Sequence, residues 1–298
     1  MLDLPRYLYD NGTVEFYGRM SYMKAGLVYA DIISTVSETY ADEIQTEEYG
    51  YGFDGIIRAG KDRLRGIING IDYEANNPET DKRIDVNYSA DNAEAKKENK
   101  RLLQERLGLE QRGVPMICMI SRLADQKGLD ILANAMERLM QNDIQFVTLG
   151  TGEKRYEDMF RYYENRWKGR FCSCIMFDDT LAQKIYASGD MFLMPSRFEP
   201  CGLGQMFSLR YGTVPVVRKT GGLADSVEQF NGENGTGNGF LFETYDAEGI
   251  LWAVGEALKI YADTDKWNTL VKNCMNTKLS WSDSEEKYME LYKEMLNN

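Results

Sequence analysis

The 298-residue chain contains no histidine. That absence removes Ser-His-Asp and Cys-His nucleophilic machinery, His-ligated zinc, and the side chain that ordinarily moves protons near neutral pH. Positive charge is also in deficit. The 35 Lys and Arg stand against 47 Asp and Glu, a formal charge of −12. This balance argues against a nucleic-acid-binding surface, which needs a basic face, so an anionic ligand must meet a local basic pocket. No run of about 18 apolar residues occurs, and no membrane span is expected. The opening MLDLPRYLYDNG lacks the basic and apolar regions of a secretory signal. The cysteines, Cys118, Cys172, Cys174, Cys201 and Cys274, are few, odd in number and scattered. Free thiols in a reducing cytoplasm are therefore expected. Cys172 and Cys174, two apart in FCSCIMF, share one strand face and read as small buried side chains rather than a metal or redox pair.

What is present is globular: 43% hydrophobic and 12% aromatic residues, in a length that fits one large or two ordinary domains. Residues 1–72 alternate helical and strand-like stretches: YMKAGLVYA, the β-rich DIISTVS, the helix SETYADEIQ with Ser37 at its N-cap, and the strand LRGII ending at NGID. EEYGYGFDGIIRAGKDR, rich in glycine, reads as a loop. With only two or three strands, this stretch resembles the end of a sheet that begins elsewhere. Residues 73–113 are strongly polar and include the charged helix EAKKENKRLLQERLGL, ending near Gly108; a domain boundary is placed here. From Val114 onward, apolar strands (PMICMIS, IQFVTLG, FCSCIMF, DMFLMPS, TVPVVRK) alternate with helices. Short apolar strands in that rhythm predict an α/β, doubly wound parallel sheet over residues 114–275. The last segment, 276–298, reads as a helix with Tyr288, Leu291, Tyr292 and Met295 at i, i+3, i+4 and i+7.

Three βα turns carry residues suited to chemistry. SRLADQKGLD (121–130) follows a strand and opens a helix, which sets Arg122 and Lys127 where a phosphate would lie. Arginine grips phosphate in bidentate fashion and lysine acts as a point charge. PSRFEPCGLGQMFSLRYG (195–212) places Glu199 at the lip of the same crevice, with Gly202 and Gly204 allowing close approach of a ligand to the backbone. RKTGGLADSV (218–227) supplies the next turn, with Gly221 and Gly222.

These three segments, with LSWSDSEEKYMELY downstream and YADIISTVSETYADEIQT, LRGIINGIDYEANNPETD and KKENKRLLQERLGL upstream, resemble in order the bacterial glycogen synthase and plant starch synthase family over essentially the whole chain. The resemblance implies a GT-B architecture of two Rossmann-like domains, one complete here and the other, residues 1–72, only its C-terminal remnant. It implies retaining transfer of glucose from ADP-glucose to the non-reducing end of an α-1,4-glucan, with no metal ion and no other cofactor. Arg122 and Lys127 would neutralise the departing pyrophosphate and Glu199 would hold glucose hydroxyls. Cys201, Gly202, Leu203, Gly204, Thr220, Gly221 and Gly222 would contact ADP-glucose, and Asn69 would reach the ligand from the N-terminal side. Segment 276–298 would be a crossover helix packing back on the N-terminal domain.

The family's N-terminal K-x-G-G-L loop and active-site histidine have no counterpart here, so the chain alone is expected to be an incomplete, inactive fragment, either of a truncated gene or of a two-piece enzyme with a separate N-terminal half as its partner. Gly204, Asn76, Met176, Phe177 and Asp178 also depart from the family's usual residues. Two other readings stand beside this one. One is another GT-B nucleotide-sugar transferase, many of which carry a second glutamate eight positions after the first, where this chain has Phe207. A non-catalytic ADP- or glucan-binding module is the other.

Overall fold

The computed structural model describes residues 5–297. In chain order its elements are α1 (Tyr7–Asp10), β1 (Glu15–Phe16), β2 (Arg19–Met20), α2 (Tyr22–Tyr29), β3 (Ile33–Thr35), α3 (Glu38–Glu43), α4 (Asp54–Ala59), β4 (Leu64–Gly66) and α5 (Lys96–Leu107). Then follow β5 (Met116–Ile120), α6 (Leu129–Leu139), β6 (Gln145–Leu149), α7 (Lys154–Arg166), β7 (Phe171–Cys174), α8 (Asp179–Ser188), β8 (Met191–Met194), α9 (Gly204–Arg210), β9 (Val214–Arg218), α10 (Gly221–Ser226), β10 (Phe240–Phe242), α11 (Ala247–Tyr261), α12 (Thr264–Asn276) and α13 (Trp281–Asn297).

Strands β5 to β10 form one six-stranded parallel sheet in the order β10-β9-β8-β5-β6-β7. The chain winds outward from β5 through β6 to β7, then returns to lay β8, β9 and β10 on its other side. The order reverses between β5 and β8, and that is the topological switch point of a Rossmann-like sheet. The central strands are buried on both faces; Met116, Ile117, Cys118, Met191, Phe192 and Leu193 are sealed from solvent, which explains why they read as continuous apolar runs. Helix α6 turns Leu129, Leu132, Ala135, Met136 and Leu139 inward, the spacing of an amphipathic helix covering a sheet. The strand β10 is a sixth one where the sequence suggested five: Phe240 and Phe242 insert into the core, but the three-residue strand follows the glycine-rich 231–239 loop.

The N-terminal residues make a second, smaller α/β unit. Its parallel pair β3–β4 packs on a core of Ile33, Ala41, Ile57 and Leu64. Ser37 caps α3 by accepting from Tyr40 N–H at 2.9 Å. The 47–63 stretch, expected to be a loop, contains α4 and a 3-10 turn at Lys61–Arg63. Burial of Ile57 and an Asp54–Arg58 ion pair one turn apart outweigh the flanking glycines. Helix α5 ends at Gly108 and buries Lys96, Asn99, Lys100, Leu103 and Gln104.

Helix α13 lies against the N-terminal unit. Ser284 Oγ donates to Ile68 O at 2.6 Å, Arg65 pairs with Glu294 at 2.8 Å, and Ser280 bridges to Ile71. Of its expected apolar stripe, Leu291 is buried and Tyr288 half-buried, but Tyr292 and Met295 are exposed. Ser284 takes the inward face about two turns before Leu291.

Candidate functional site

The turn after β5 and the turn after β8 meet at the switch point. Arg122 and Lys127 come from the first, Glu199 from the second. Lys127 Nζ donates to Glu199 Oε2 at 2.6 Å, and Ser196 Oγ donates to the same oxygen at 3.0 Å. The two charged side chains are 15% and 9% exposed, so the pair sits inside the crevice wall, where Coulomb attraction is screened less than at the surface. Arg122 is exposed and its guanidinium donates to Gln126 Oε1 at 3.2 Å. Gln126 in turn donates to Phe198 O and accepts Arg197 N–H on its own carbonyl. The two turns are thus tied by backbone as well as by charge.

Gly128 makes that meeting possible. It sits at φ +70°, and a Cβ there would fall 1.9 Å from Pro195 O. Only glycine allows the β5 turn to lie so close to the β8 turn. Gly221, at φ +43°, plays the same part for the β9 turn: a Cβ would fall 2.1 Å from Glu199 O. The neighbouring Gly222 N–H donates to that carbonyl at 3.0 Å. The backbone of Glu199 is therefore gripped by the third turn while its carboxylate is gripped by the first.

A cavity of about 210 Å³ opens between the turns, lined by Arg122, Lys127, Ser196, Glu199, Gly202, Leu203 and Gly204 with the ends of β5 and β8. A second, of about 270 Å³, adjoins it across Ser121 and Arg122 and is bounded by Leu149, Gly150, Met176, Phe177 and Asp178. Phe177 is 93% exposed at its mouth. Ser121 Oγ is buried and has no hydrogen-bond partner among the described residues, an orphaned donor at the junction of the two cavities. A buried unsatisfied hydroxyl is costly, and this one is placed where it could donate to a ligand.

The other candidates fall around this centre. Cys201 is buried, and burial pushes its thiol pKa up while the Asn69 backbone N–H directed at the sulfur opposes the rise. Asn69 thereby stands beside the β8 turn. Thr220, Gly221 and Gly222 do not line either cavity. Their outward side meets a carboxylate from the N-terminal unit instead: Glu43 Oε1 accepts from Thr220 Oγ1 at 2.7 Å and from Gly221 N–H at 3.0 Å. Reciprocally, Asp225 of α10 accepts from Ser37 Oγ at 2.7 Å and from Thr39 N–H at 3.2 Å. Each of α3 and α10 carries an acid that meets the amino end of the other. Glu43, Ser121 and Ser196 were not singled out from sequence. Ser121 and Ser196 directly follow or closely trail apolar strands, a placement that could have marked them.

The Starch synthase catalytic domain model matches residues 1–59, and the Glycosyl transferases group 1 model matches residues 104–273, more than half of the chain. The glycogen synthase of Fervidobacterium nodosum is 54% identical over 97% of this chain and 60% of its own length. That of Thermotoga maritima is 51% identical over 98% and 61%. The chain spans about 60% of the length of these curated relatives. The catalytic domain of starch synthase IV from Arabidopsis thaliana, bound to ADP and acarbose, superposes with a TM-score of 0.88 at 35% identity over 94% of this chain and 58% of that one. Sucrose-phosphate synthase from Thermosynechococcus elongatus, at 18% identity and a TM-score of 0.64, shares the fold. The strand order, the charged pair at the switch point and these matches agree: the chain has a GT-B glycosyltransferase fold and belongs to the glycosyl transferases group 1 family.

Proposed function

We propose that the switch-point crevice binds ADP-glucose and takes part in retaining glucosyl transfer to the non-reducing end of an α-1,4-glucan. The observation that carries this reading is the Lys127–Glu199 pair, with Arg122 beside it, at the carboxyl ends of the two central strands. A diphosphate leaving group gains negative charge as the glycosidic bond breaks. Fixed cations at that place stabilise the transition state more than the ground state. Arg122 and Lys127 are suited to that task and would do it without a divalent ion. Glu199 accepts from Lys127 and Ser196 on Oε2, and its other oxygen is suited to glucose hydroxyls. The adjoining cavity, with an apolar floor and Phe177 at its mouth, suits a purine that stacks on an aromatic ring, and the ADP of the related starch synthase structure supports this assignment.

The glucan acceptor and a separate N-terminal polypeptide half complete the proposal. Support for the latter comes from β3–β4, a two-stranded pair with no further strand among the described residues, and from Tyr17, Tyr22, Met23 and Tyr29, all exposed on the same small unit. Incorporation of radiolabelled glucose from ADP-glucose into glycogen by the chain completed with an N-terminal half is the test. Activity that appears with ADP-glucose and survives chelation supports the reading. Transfer from a different nucleotide sugar in preference would refute the donor assignment.

A further inference from the structure

Another cavity lies away from this crevice. It encloses about 670 Å³ at the opposite end of the sheet, where Gly113, Asp190 and Gly212 lead into β5, β8 and β9. One wall is the charged helix α5; another is α12 with Trp267. Five cations line it, Lys96, Lys97, Lys100, Arg101 and Arg112, against the carboxylates of Glu94 and Asp190. In a chain of net charge −12, that local excess of positive charge is unexpected.

The floor is more unusual. Lys96 is 8% exposed, yet its Nζ makes no ion pair among the described residues. It donates to Tyr186 O at 2.9 Å and Thr213 Oγ1 at 2.7 Å. Burial pushes its pKa down to about 7. A buried amine with no carboxylate beside it is expensive to charge, and a buried group so perturbed on a cavity wall is a functional-site candidate. The remaining cations are either held, as Lys100 is by Asp190 at 2.5 Å, or engaged in exposed pairs: Lys97 with Glu94, Arg101 with Glu98 and Glu105, Arg112 with Asp143. Exposed pairs are weak and readily exchange for a better anion. Opposite the cations, Tyr261 and Trp267 meet edge to face at 4.9 Å and give the cavity an aromatic side.

We infer that this cavity is a second ligand site and that it takes a small organic phosphate, its phosphate toward Lys96, Lys97 and Arg101 and its carbon skeleton toward Tyr261 and Trp267. Lys97 and Arg101, with the Lys96 amine that a bound anion would help to protonate, present donors from one helix that match a group with three acceptor oxygens better than a carboxylate with two. The volume exceeds what a bare phosphate needs and falls in the range of small-molecule pockets.

Phenyl phosphate titrated into the whole chain tests this, with binding followed by calorimetry and by amide NMR shifts. The expected result is saturable binding with shifts at residues 96–101 and 264–268. The double variant Lys97→Ala/Arg101→Ala, the first residue exposed and the second half-buried, weakens it at least tenfold. Lys96→Met, if it folds, abolishes it. No saturable binding, shifts confined to residues 121–127 and 196–204, equal affinity for phenol, or full affinity in the Lys97/Arg101 variant would each overturn the assignment.

Discussion

Lys127 and Glu199 stand 2.6 Å apart across the switch point, each from a different βα turn and each mostly shielded from water. Removing one partner of such a pair leaves the other buried and uncompensated, which costs about 3–5 kcal/mol in fully buried cases and less here because both groups keep some exposure. Glu199→Gln retains the shape and loses the charge. It is expected to lower stability by about 1–2 kcal/mol and to cut glucosyl transfer by roughly two to three orders of magnitude in an enzyme that turns over. Urea unfolding and radiolabel incorporation measure the two effects separately; an unchanged rate removes Glu199 from the site.

Glu43 and Asp225 form a reciprocal clamp between α3 and α10. Alanine at either position leaves two or more donors without their partner and is expected to cost about 1–3 kcal/mol. Because the two acids bridge the same two helices, the losses are expected to couple by about 0.5 kcal/mol or more in a double-mutant cycle. Strict additivity would show that the two contacts act independently.

Gly128→Ala places a Cβ 1.9 Å from Pro195 O at a positive φ. Strain and collision together are expected to cost about 2–5 kcal/mol. Gly108, also at positive φ but with open space around it, provides the control: Gly108→Ala is expected to cost only about 1 kcal/mol. Equal losses at both sites would mean that the contact between the β5 and β8 turns is not as close as described.

Lys96 gives a pH dependence with a defined sign. Its pKa is pushed from the ordinary lysine range to about 7 by burial first, with Lys100 adding to the fall and Asp190, Cys118 and Cys274 opposing it. Between about pH 7 and the ordinary lysine value the unfolded chain binds a proton that the folded chain does not, so this group makes stability rise with pH across that window. Comparison of unfolding free energies at pH 7 and pH 9 for the native chain and Lys96→Met is the check. The rise should be smaller in the variant; an identical rise in both would assign it to other groups.

Much of this was legible in the sequence because the information is local. A short apolar strand followed by a turn and an amphipathic helix fixes each βα unit, and the switch-point rule then brings Arg122, Lys127 and Glu199 to one crevice without any view of the structure. The Ser37 cap was equally plain. What was not legible depends on distant partners. Glu43 lies at the end of an ordinary helix, and nothing near it signals that it will meet Gly221, 178 positions away. Thr220 and Gly221 read as a ligand turn, yet their free side is taken by that carboxylate. Helix α4 was hidden by glycines whose cost is outweighed by burial of Ile57, and β10 by its brevity. The segment of α5 read only as a charged helix, because the cavity beneath it is made by α12 and by strand ends far along the chain.

On the proposed reading, the switch-point crevice recognises a nucleoside diphosphate through Arg122 and Lys127. Calorimetric titration of ADP into the native chain and into Lys127→Ala and Arg122→Ala tests it most directly. Each charge-assisted contact is expected to contribute about 1.5–3 kcal/mol, so single-site saturable binding should weaken roughly 10- to 100-fold in either variant. ADP binding of native affinity in both variants, or no binding to the native chain, would contradict the account.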